Sequence, residues 1–311
     1  MDWERGEKSA LVSIGSHKLF LSVYGPDRRP GEPVVVLLTG LGSSITEWVV
    51  ARKLVSRFAR IYLYERSGYG QSEESPNPPS STVIACELKA LLQAANIKPP
   101  YVTIGHSWGG ILSREFRALS PPGDIAGMVF VDASTDKRHV LTFEESCVSS
   151  VLQGIDHIPV TGLSETHVLS PDEWKAMLEE EAKPEHIRQA EAESKEFALS
   201  RDTLAEKRQI EEQPPLLGNR PVSVLRCNTT HDFEMMYHEG VRRNNGTKEE
   251  QKAVQDILDR AEAVDEELQK RTLRLSSNHH YAHTVDNGHN VQFTQPELVA
   301  EEVRWVLQNL Q

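Results

Sequence analysis

Three side chains in this sequence could together carry out nucleophilic catalysis: a serine, a histidine and an aspartate. Ser107 lies in Gly105-His106-Ser107-Trp108-Gly109, which fits the pattern G-x-S-x-G. That pattern places a serine hydroxyl at a sharp turn between a strand and a helix, where it can attack a substrate. The glycines let neighbouring backbone approach closely, and the following helix points its free N–H groups at developing negative charge. The sequence therefore predicts Ser107 as a nucleophile.

His289 is the predicted general base. It follows the last predicted strand and lies in an Asn-Gly-His loop. A neutral imidazole near pH 7 can take the serine proton and later give it to the leaving group. A second histidine group, H-H-x-x-H from His279 to His283, lacks an acidic or thiol partner. We expect a structural role for that group and no metal site.

Two aspartates are candidates for the carboxylate that would orient His289. Asp132 ends the strand after the predicted nucleophile helix, and Asp232 lies in the loop after Cys227. Either could accept a hydrogen bond from the second ring N–H of the histidine and fix its tautomer. An aspartate at a strand end also commonly caps a helix or binds a loop. We favour Asp132 and keep Asp232 as the alternative.

The elements that must position these side chains alternate between strand and helix patterns. The predicted strands are Ala10–Ile14, Leu19–Tyr24, Val34–Leu38, Ile61–Tyr64, Tyr101–Ile104, Met128–Val131, Pro221–Cys227 and His280–Val285. The predicted helices are Ser81–Ile97, Ile111–Leu119, Lys248–Leu273 and Glu297–Leu310. This alternation predicts right-handed βαβ units and a parallel sheet covered by helices on both faces.

The pattern changes between about residues 140 and 215. Charged amphipathic helices replace the alternation, with a break at Pro184. We predict one core domain, residues 1–139 and 216–311, and a helical lid or cap insertion over 140–215. We interpret the insertion as largely solvated, with a sparse apolar stripe that could face a substrate.

Composition narrows the function classes. The 311 residues include 34 basic and 46 acidic side chains, a net charge of −12. This charge disfavours binding to nucleic acids or to anionic membranes, so we expect neither as a partner. No apolar leader is visible, and the longest apolar run, Val34–Leu38, is too short to cross a bilayer. The three cysteines are odd in number and widely spaced, which is typical of a reducing compartment and predicts a cytoplasmic location.

Taken together, these residues resemble the α/β-hydrolase family, in its esterase/lipase-like branch. The resemblance covers nearly the whole chain except the insertion. Its landmarks are Thr39-Gly40-Leu41-Gly42, Tyr64 to Ser72, the Ser107 turn, Val129-Phe130-Val131-Asp132, Asp286 to His289 and Gln295-Pro296-Glu297. The resemblance implies an α/β-hydrolase fold, with a mostly parallel eight-stranded sheet flanked by helices and a helical lid.

The resemblance also implies an oxyanion hole. Its two donors would be the backbone N–H groups of Leu41 and Trp108, and Gly40 and Gly42 would bind the substrate. Thr39 stands where the family commonly has His-Gly, which we expect to loosen the turn without removing a backbone donor. Losing one such donor typically costs about 3–4 kcal/mol of transition-state stabilisation.

The resemblance assigns supporting roles to neighbouring side chains. Arg66, Ser67 and Tyr69 would brace the site without reacting. The large Trp108 side chain would line the pocket, and His106 would point away from the catalytic face. A branch of the family with its acid one strand earlier also favours Asp132.

The predicted function is hydrolysis of a carboxylic ester or lactone of a small organic substrate through an acyl-enzyme intermediate, with no metal or organic cofactor. Amide, thioester or carbon–carbon bond cleavage and acyl transfer remain open on the same residues. A ligand-binding or signalling protein on a hydrolase scaffold, with slow turnover, is the alternative from another class. The sequence does not indicate the oligomeric state.

Overall fold

A computed structural model describes residues 1–142 and 145–310, and in these residues eight strands form one sheet. The strands are β1 (Lys8–Ser13), β2 (Lys18–Tyr24), β3 (Val34–Leu38), β4 (Ile61–Tyr64), β5 (Tyr101–His106), β6 (Ile125–Val131), β7 (Val222–Arg226) and β8 (His279–His283). Their spatial order is β1-β2-β4-β3-β5-β6-β7-β8. β2 pairs antiparallel with both β1 and β4, and all neighbours from β4 to β8 in this order pair parallel. The mostly parallel sheet predicted from the sequence is confirmed.

Strand β3 shows why the sheet needs helices on both faces. All five of its residues are buried. Val34, Val36 and Leu38 point into one apolar cluster, whereas Val35 and Leu37 point into another. Because successive side chains of a strand alternate between faces, a continuous apolar run fits only a strand covered on both sides.

The helices follow the chain as α1 (Val49–Val55), α2 (Ser81–Ala94), α3 (Gly109–Leu119), α4 (Ser146–Val151), α5 (His157–Val160), α6 (Leu163–Thr166), α7 (Pro171–Glu181), α8 (Pro184–Glu206), α9 (Thr229–Arg242), α10 (Lys248–Thr272), α11 (Val291–Thr294) and α12 (Pro296–Gln308). Apolar side chains of α2 and α3 join the cluster on one face of the sheet, and those of α1 and α12 join the other. Within the described residues no helix is long and apolar enough to cross a bilayer.

The stretch predicted as a lid, 140–215, connects β6 to β7 and contains α4–α8, which we call the cap helices. Residues 143–144 of this stretch, and residue 311 of the predicted core, lie outside the described residues. Helix α7 begins with a capping box between Ser170 and Glu173. Helix α8 begins at Pro184, where proline is tolerated because the first helical N–H has no intrahelical partner.

A third apolar cluster links the cap helices to a later part of the chain. Val148 and Val151 of α4 pack with Tyr237 of α9 and with Val254 and Leu258 of α10. Both α9 and α10 lie between β7 and β8, within the stretch 216–311 predicted as part of the core domain. The cap helix α4 is therefore supported by α9 and α10, which belong to a separate segment of the chain.

Candidate active site

The turn between β5 and α3 holds Ser107 in a strained conformation. Its φ angle is +52°, in the left-handed region that non-glycine residues seldom adopt. The Ser107 N–H donates to the carbonyl of Val131 at 3.1 Å. The Ser107 carbonyl accepts from the N–H groups of Gly110 and Ser134 at 3.0 and 2.8 Å. The bonds to Val131 of β6, to Ser134 in the following loop and to Gly110 of α3 hold the strained turn in place.

The two glycines of the motif permit this turn because backbone lies against each of them. A Cβ on Gly105 would lie 2.6 Å from the Gly109 carbonyl oxygen. A Cβ on Gly109 would lie 2.0 Å from the carbonyl oxygen of Leu38. The start of α3 is thus pressed against the end of β3, and any side chain at either position would displace it.

His289 and Asp132 meet at the carboxyl end of the sheet. The Nδ1–H of His289 donates to Oδ2 of Asp132 at 2.6 Å. The other oxygen of Asp132 accepts the N–H of Cys227 at 2.9 Å, and the Thr229 hydroxyl donates to Oδ2. Asp132 itself has a φ of +41°, which turns its side chain from the end of β6 towards the histidine. With Nδ1 carrying the hydrogen, Nε2 of the neutral ring is free to accept a proton.

The protonation behaviour of the pair follows from these bonds. Burial opposes the charged imidazolium, but the hydrogen bond and negative charge of Asp132 outweigh it and raise the pKa of His289 above its usual value. Burial likewise opposes the charged carboxylate of Asp132, yet the bonds from His289, Thr229 and Cys227 lower its pKa. Asp132 therefore stays ionised where His289 titrates.

Asp232, the alternative aspartate, lies next to the same histidine but binds its backbone. Its Oδ2 accepts the N–H of His289 at 2.7 Å. A Cβ on Gly288 would lie 2.0 Å from Oδ1 of Asp232, so the loop approaches this carboxylate as only glycine can. Burial raises the pKa of Asp232. Of the two candidates, Asp132 contacts the imidazole and Asp232 holds the loop that carries it.

The expectation that His106 points away from the catalytic face is wrong. Its ring lies 4.7 Å from that of His289, centre to centre, and its Nε2–H donates to the His289 carbonyl at 3.0 Å. Burial, reinforced by the charge of His289, lowers the pKa of His106 to about 3. His106 is therefore a neutral support beneath the histidine loop.

The loop after β3 and the start of α3 present the two predicted oxyanion donors. Among the described residues, the N–H groups of Leu41 and Trp108 donate to no protein acceptor. We expected Thr39 to loosen this loop, and this expectation is wrong. Its hydroxyl donates to the Ser43 carbonyl at 3.1 Å and accepts from Arg66, so it ties the turn together.

We expected the Trp108 side chain to line the pocket, and this expectation is wrong. The indole is fully buried, and its Nε1–H donates to the Ser200 hydroxyl of α8 at 3.0 Å. Its ring centre lies 6.4 Å from that of Phe197, so the indole packs between α3 and the cap helix α8. Its backbone N–H remains at the first turn of α3.

A cavity of about 800 Å³ lies between the sheet and the cap helices. Ser107, His289 and Asp132 line it, together with Gly40, Leu41 and Gly42. The apolar part of its wall includes Leu141, Ile155, Ile158, Leu163, Met177, Phe197, Phe233, Met236, Leu268 and Phe293. The predicted nucleophile, base and oxyanion loop thus open into one mostly apolar chamber, suited to a small organic molecule.

No cluster of metal-binding side chains occurs in the described part of the chain. His280 of the H-H-x-x-H group stacks on Trp305 at 5.0 Å, and His279 bonds the Ser276 carbonyl at 2.9 Å. These contacts tie β8 to α12 and to the preceding turn.

Two residues of the site, Thr229 and Glu193, were not predicted from the sequence. Thr229 begins α9, and its position after β7, the neighbour of β6, was the available signal. Glu193 lies in a stretch of α8 rich in charged residues, yet it is completely buried beside Arg66. No feature of the sequence separates it from its exposed neighbours.

Comparison with known proteins extends over almost the whole chain. Residues 35–302 match the model of the alpha/beta hydrolase family. An AB hydrolase superfamily protein of Gibberella zeae is 30% identical over 320 residues, covering 98% of each chain. A probable transporter of Hormonema carpetanum, efuK, is 31% identical over 98% of this chain, which spans only 44% of that relative.

Solved structures show the same fold at low sequence identity. The haloalkane dehalogenase of Bradyrhizobium elkani superposes with a TM-score of 0.66 at 15% identity, over 98% of this chain and 99% of that one. The superposed fold and the family model both extend over most of the chain. This protein belongs to the alpha/beta hydrolase family.

Proposed function

We propose that this protein is a serine hydrolase that cleaves a carboxylic ester or lactone of a small organic substrate. The observation that carries the proposal is the pairing of Nδ1 of His289 with the buried carboxylate of Asp132 at 2.6 Å, in the same cavity as a strained Ser107. This arrangement supplies a nucleophile, a base and an orienting acid.

In the proposed reaction, Nε2 of His289 takes the proton of Ser107 as Oγ attacks the substrate carbonyl. The oxyanion that forms accepts hydrogen bonds from the N–H groups of Leu41 and Trp108. The imidazolium then gives its proton to the leaving alcohol, and an acyl-Ser107 ester remains. Water, deprotonated by the same histidine, hydrolyses this ester and releases the acid.

The serine at position 107 favours acyl chemistry over the chemistry of structural relatives such as the dehalogenase. A carboxylate nucleophile that displaces a halide forms an ester, which water can hydrolyse. A serine hydroxyl that did so would form an ether, which this site could not cleave. Only an acyl group gives Ser107 an intermediate that turns over.

An ester or lactone also fits the wall of the cavity. Apolar side chains such as Leu141, Met177 and Phe293 form much of the chamber wall, beside charged groups such as Glu181 and Asp265. Such a wall binds an apolar acyl or alcohol group through burial of its surface. In the proposed reaction, the loop from Gly40 to Gly42, which also lines the cavity, contacts the reacting carbonyl.

The test compares the wild-type protein with Ser107→Ala. A fluorophosphonate probe should label the wild-type protein at Ser107, and short p-nitrophenyl esters should be turned over in steady state. Ser107→Ala should lose labelling and about a million-fold of kcat, since the catalytic groups act as a unit.

Two outcomes would overturn the proposal. Activity of Ser107→Ala close to wild type would remove the serine mechanism. Labelling of the wild type without turnover of any ester or lactone would instead indicate a ligand-binding role. Circular dichroism of both proteins controls for misfolding.

A further inference from the structure

We propose that the cap helix α8 holds the oxyanion-hole loop in its working conformation, with Glu193 and His186 as positioning residues. The inference rests on the proposed serine-hydrolase function and assigns two cap residues to its reaction. Both side chains reach from α8 to the backbone of Gly42. The cap would then complete the catalytic machinery as well as enclose the substrate.

The Leu41 N–H belongs to the peptide plane between Gly40 and Leu41. This N–H and the Gly40 carbonyl belong to one planar trans peptide, so fixing the carbonyl fixes the direction of the N–H. Nη2 of Arg66 donates to the Gly40 carbonyl at 2.8 Å. The Arg66 guanidinium therefore aims the Leu41 N–H away from itself, on the opposite side of the peptide.

Arg66 owes its position to Glu193. Its Nε and Nη2 donate to the two carboxylate oxygens of Glu193 at 2.7 and 2.8 Å, and both side chains are almost fully buried. The Tyr69 hydroxyl donates to the same carboxylate at 2.8 Å. A two-point bond between planar groups fixes the guanidinium in orientation as well as place.

Glu193 also binds the next peptide plane directly. Its Oε2 accepts the N–H of Gly42 at 3.1 Å. The peptide planes on both sides of Leu41 are thus held by one ion pair, the first through Arg66 and the second by Glu193 itself. Since Gly42 has a φ of +70° and no side chain, its own backbone offers little resistance to rotation.

His186 holds the third plane. Its Nε2–H donates to the Gly42 carbonyl at 2.7 Å, and its ring packs edge-on against Tyr69 at 4.7 Å. Burial lowers the pKa of His186, so the ring is neutral and Nε2 carries the hydrogen that the carbonyl accepts. Three consecutive peptides of the loop therefore have partners that belong to α8 or are fixed by it.

The experiment measures kcat, KM and inhibition by a trifluoromethyl ketone, which forms a tetrahedral oxyanion on a serine. In His186→Phe the ring packing is kept but the donor is lost. We expect kcat/KM to fall on the order of 100-fold, as for a reacting group displaced by about 1 Å. The ketone should bind more weakly by the same factor, with KM changed less than about twofold.

Further variants separate positioning from folding. His186→Gln restores a donor near the Nε2 position and should recover most of the loss. Glu193→Gln removes the charge that orients Arg66 and should lower kcat in the same way, with the folded fraction checked by thermal unfolding. Arg188→Gln is the matched control, since Arg188 lies on the same helix and pairs with Glu74 at 3.5 Å on the surface. It should keep wild-type kinetics.

The outcomes distinguish this inference from the proposed function. If wild-type protein turns over an ester and folded His186→Phe and Glu193→Gln do so equally fast, the positioning role is wrong and the function stands. A rise in KM alone would also contradict it, because it would mean substrate binding. If wild-type protein neither turns over an ester nor binds the ketone, both proposals fail.

Discussion

At the residue scale, two aspartates contact one histidine loop and should differ sharply on mutation. Asp132→Asn removes the charged acceptor of His289 Nδ1–H and should lower kcat by about 10,000-fold, because the ring can then adopt the wrong tautomer. Asp232→Asn keeps an oxygen that can accept the His289 N–H and should cost less than about tenfold. Steady-state kinetics of both folded variants tests this. The reverse order would make Asp232 the orienting acid.

The pH dependence of kcat/KM belongs to the same pair. As the proposed general base, His289 works only as neutral imidazole, and its pKa is raised above the usual 6.5. The rate should therefore rise with pH and reach half of its plateau above pH 6.5. A pH–rate profile in the wild-type protein measures this midpoint. A rate flat from pH 5 to 8, or a midpoint below 6.5, would contradict the coupling to Asp132.

Residue types explain which parts of the site the sequence could predict. Ser107 lies in a motif whose glycines are required by close backbone contacts, and His289 follows a recognisable final strand. No comparable signal marks Glu193. The sequence around a buried glutamate that pairs with an arginine can be the same as the sequence around a solvent-exposed glutamate. His106 was misplaced because the pattern gives its position but not the direction in which the strained turn sends it.

At the element scale, the contact between α3 and β3 should be intolerant of added volume. Gly109→Ala would bring a methyl group within 2.0 Å of the Leu38 carbonyl oxygen. We expect the free energy of unfolding to fall by about 3 kcal/mol, as for an overpacked core, and kcat to fall as the Trp108 N–H moves. Chemical denaturation measures the first effect and ester turnover the second.

A matched control for Gly109→Ala is Gly123→Ala, in the open turn before β6. Gly123 has a φ of +104° but no atom within 4 Å of the added methyl group. Its cost should be only the backbone penalty of about 1–2 kcal/mol, with unchanged kcat. Equal losses at the two positions would mean that the α3–β3 contact is looser than the geometry indicates.

Element boundaries followed the local pattern in two short buried strands, which consist of uninterrupted apolar residues. Strands β3 and β4 begin and end where the apolar runs predict. Strand β8 ends at His283, two residues before the predicted end, and its burial is mixed. A fully buried strand has a sharp apolar signature, whereas a half-exposed edge strand stops where pairing stops, which the sequence alone does not encode.

At the scale of the whole molecule, the sequence predicted the mostly parallel sheet but not which segments of the chain pack against the cap helices. Helix α10 carries Val254, Ile257, Leu258 and Ala261 at helical spacing, so its amphipathic face is visible in the sequence. The partner of that face is not, because α4 lies about a hundred residues earlier. Long-range pairing between helices depends on topology that local periodicity does not contain.

The third apolar cluster has a mechanical consequence for any opening motion. Helix α4 is joined through it to α9, and α9 begins at Thr229, whose hydroxyl binds Asp132. Asp232, one turn further along α9, holds the backbone of His289. An outward rigid-body movement of α4 would therefore displace α9 and, with it, the contacts of both aspartates. Opening the cap for a substrate would then change the geometry of the His289–Asp132 pair before the substrate reached it.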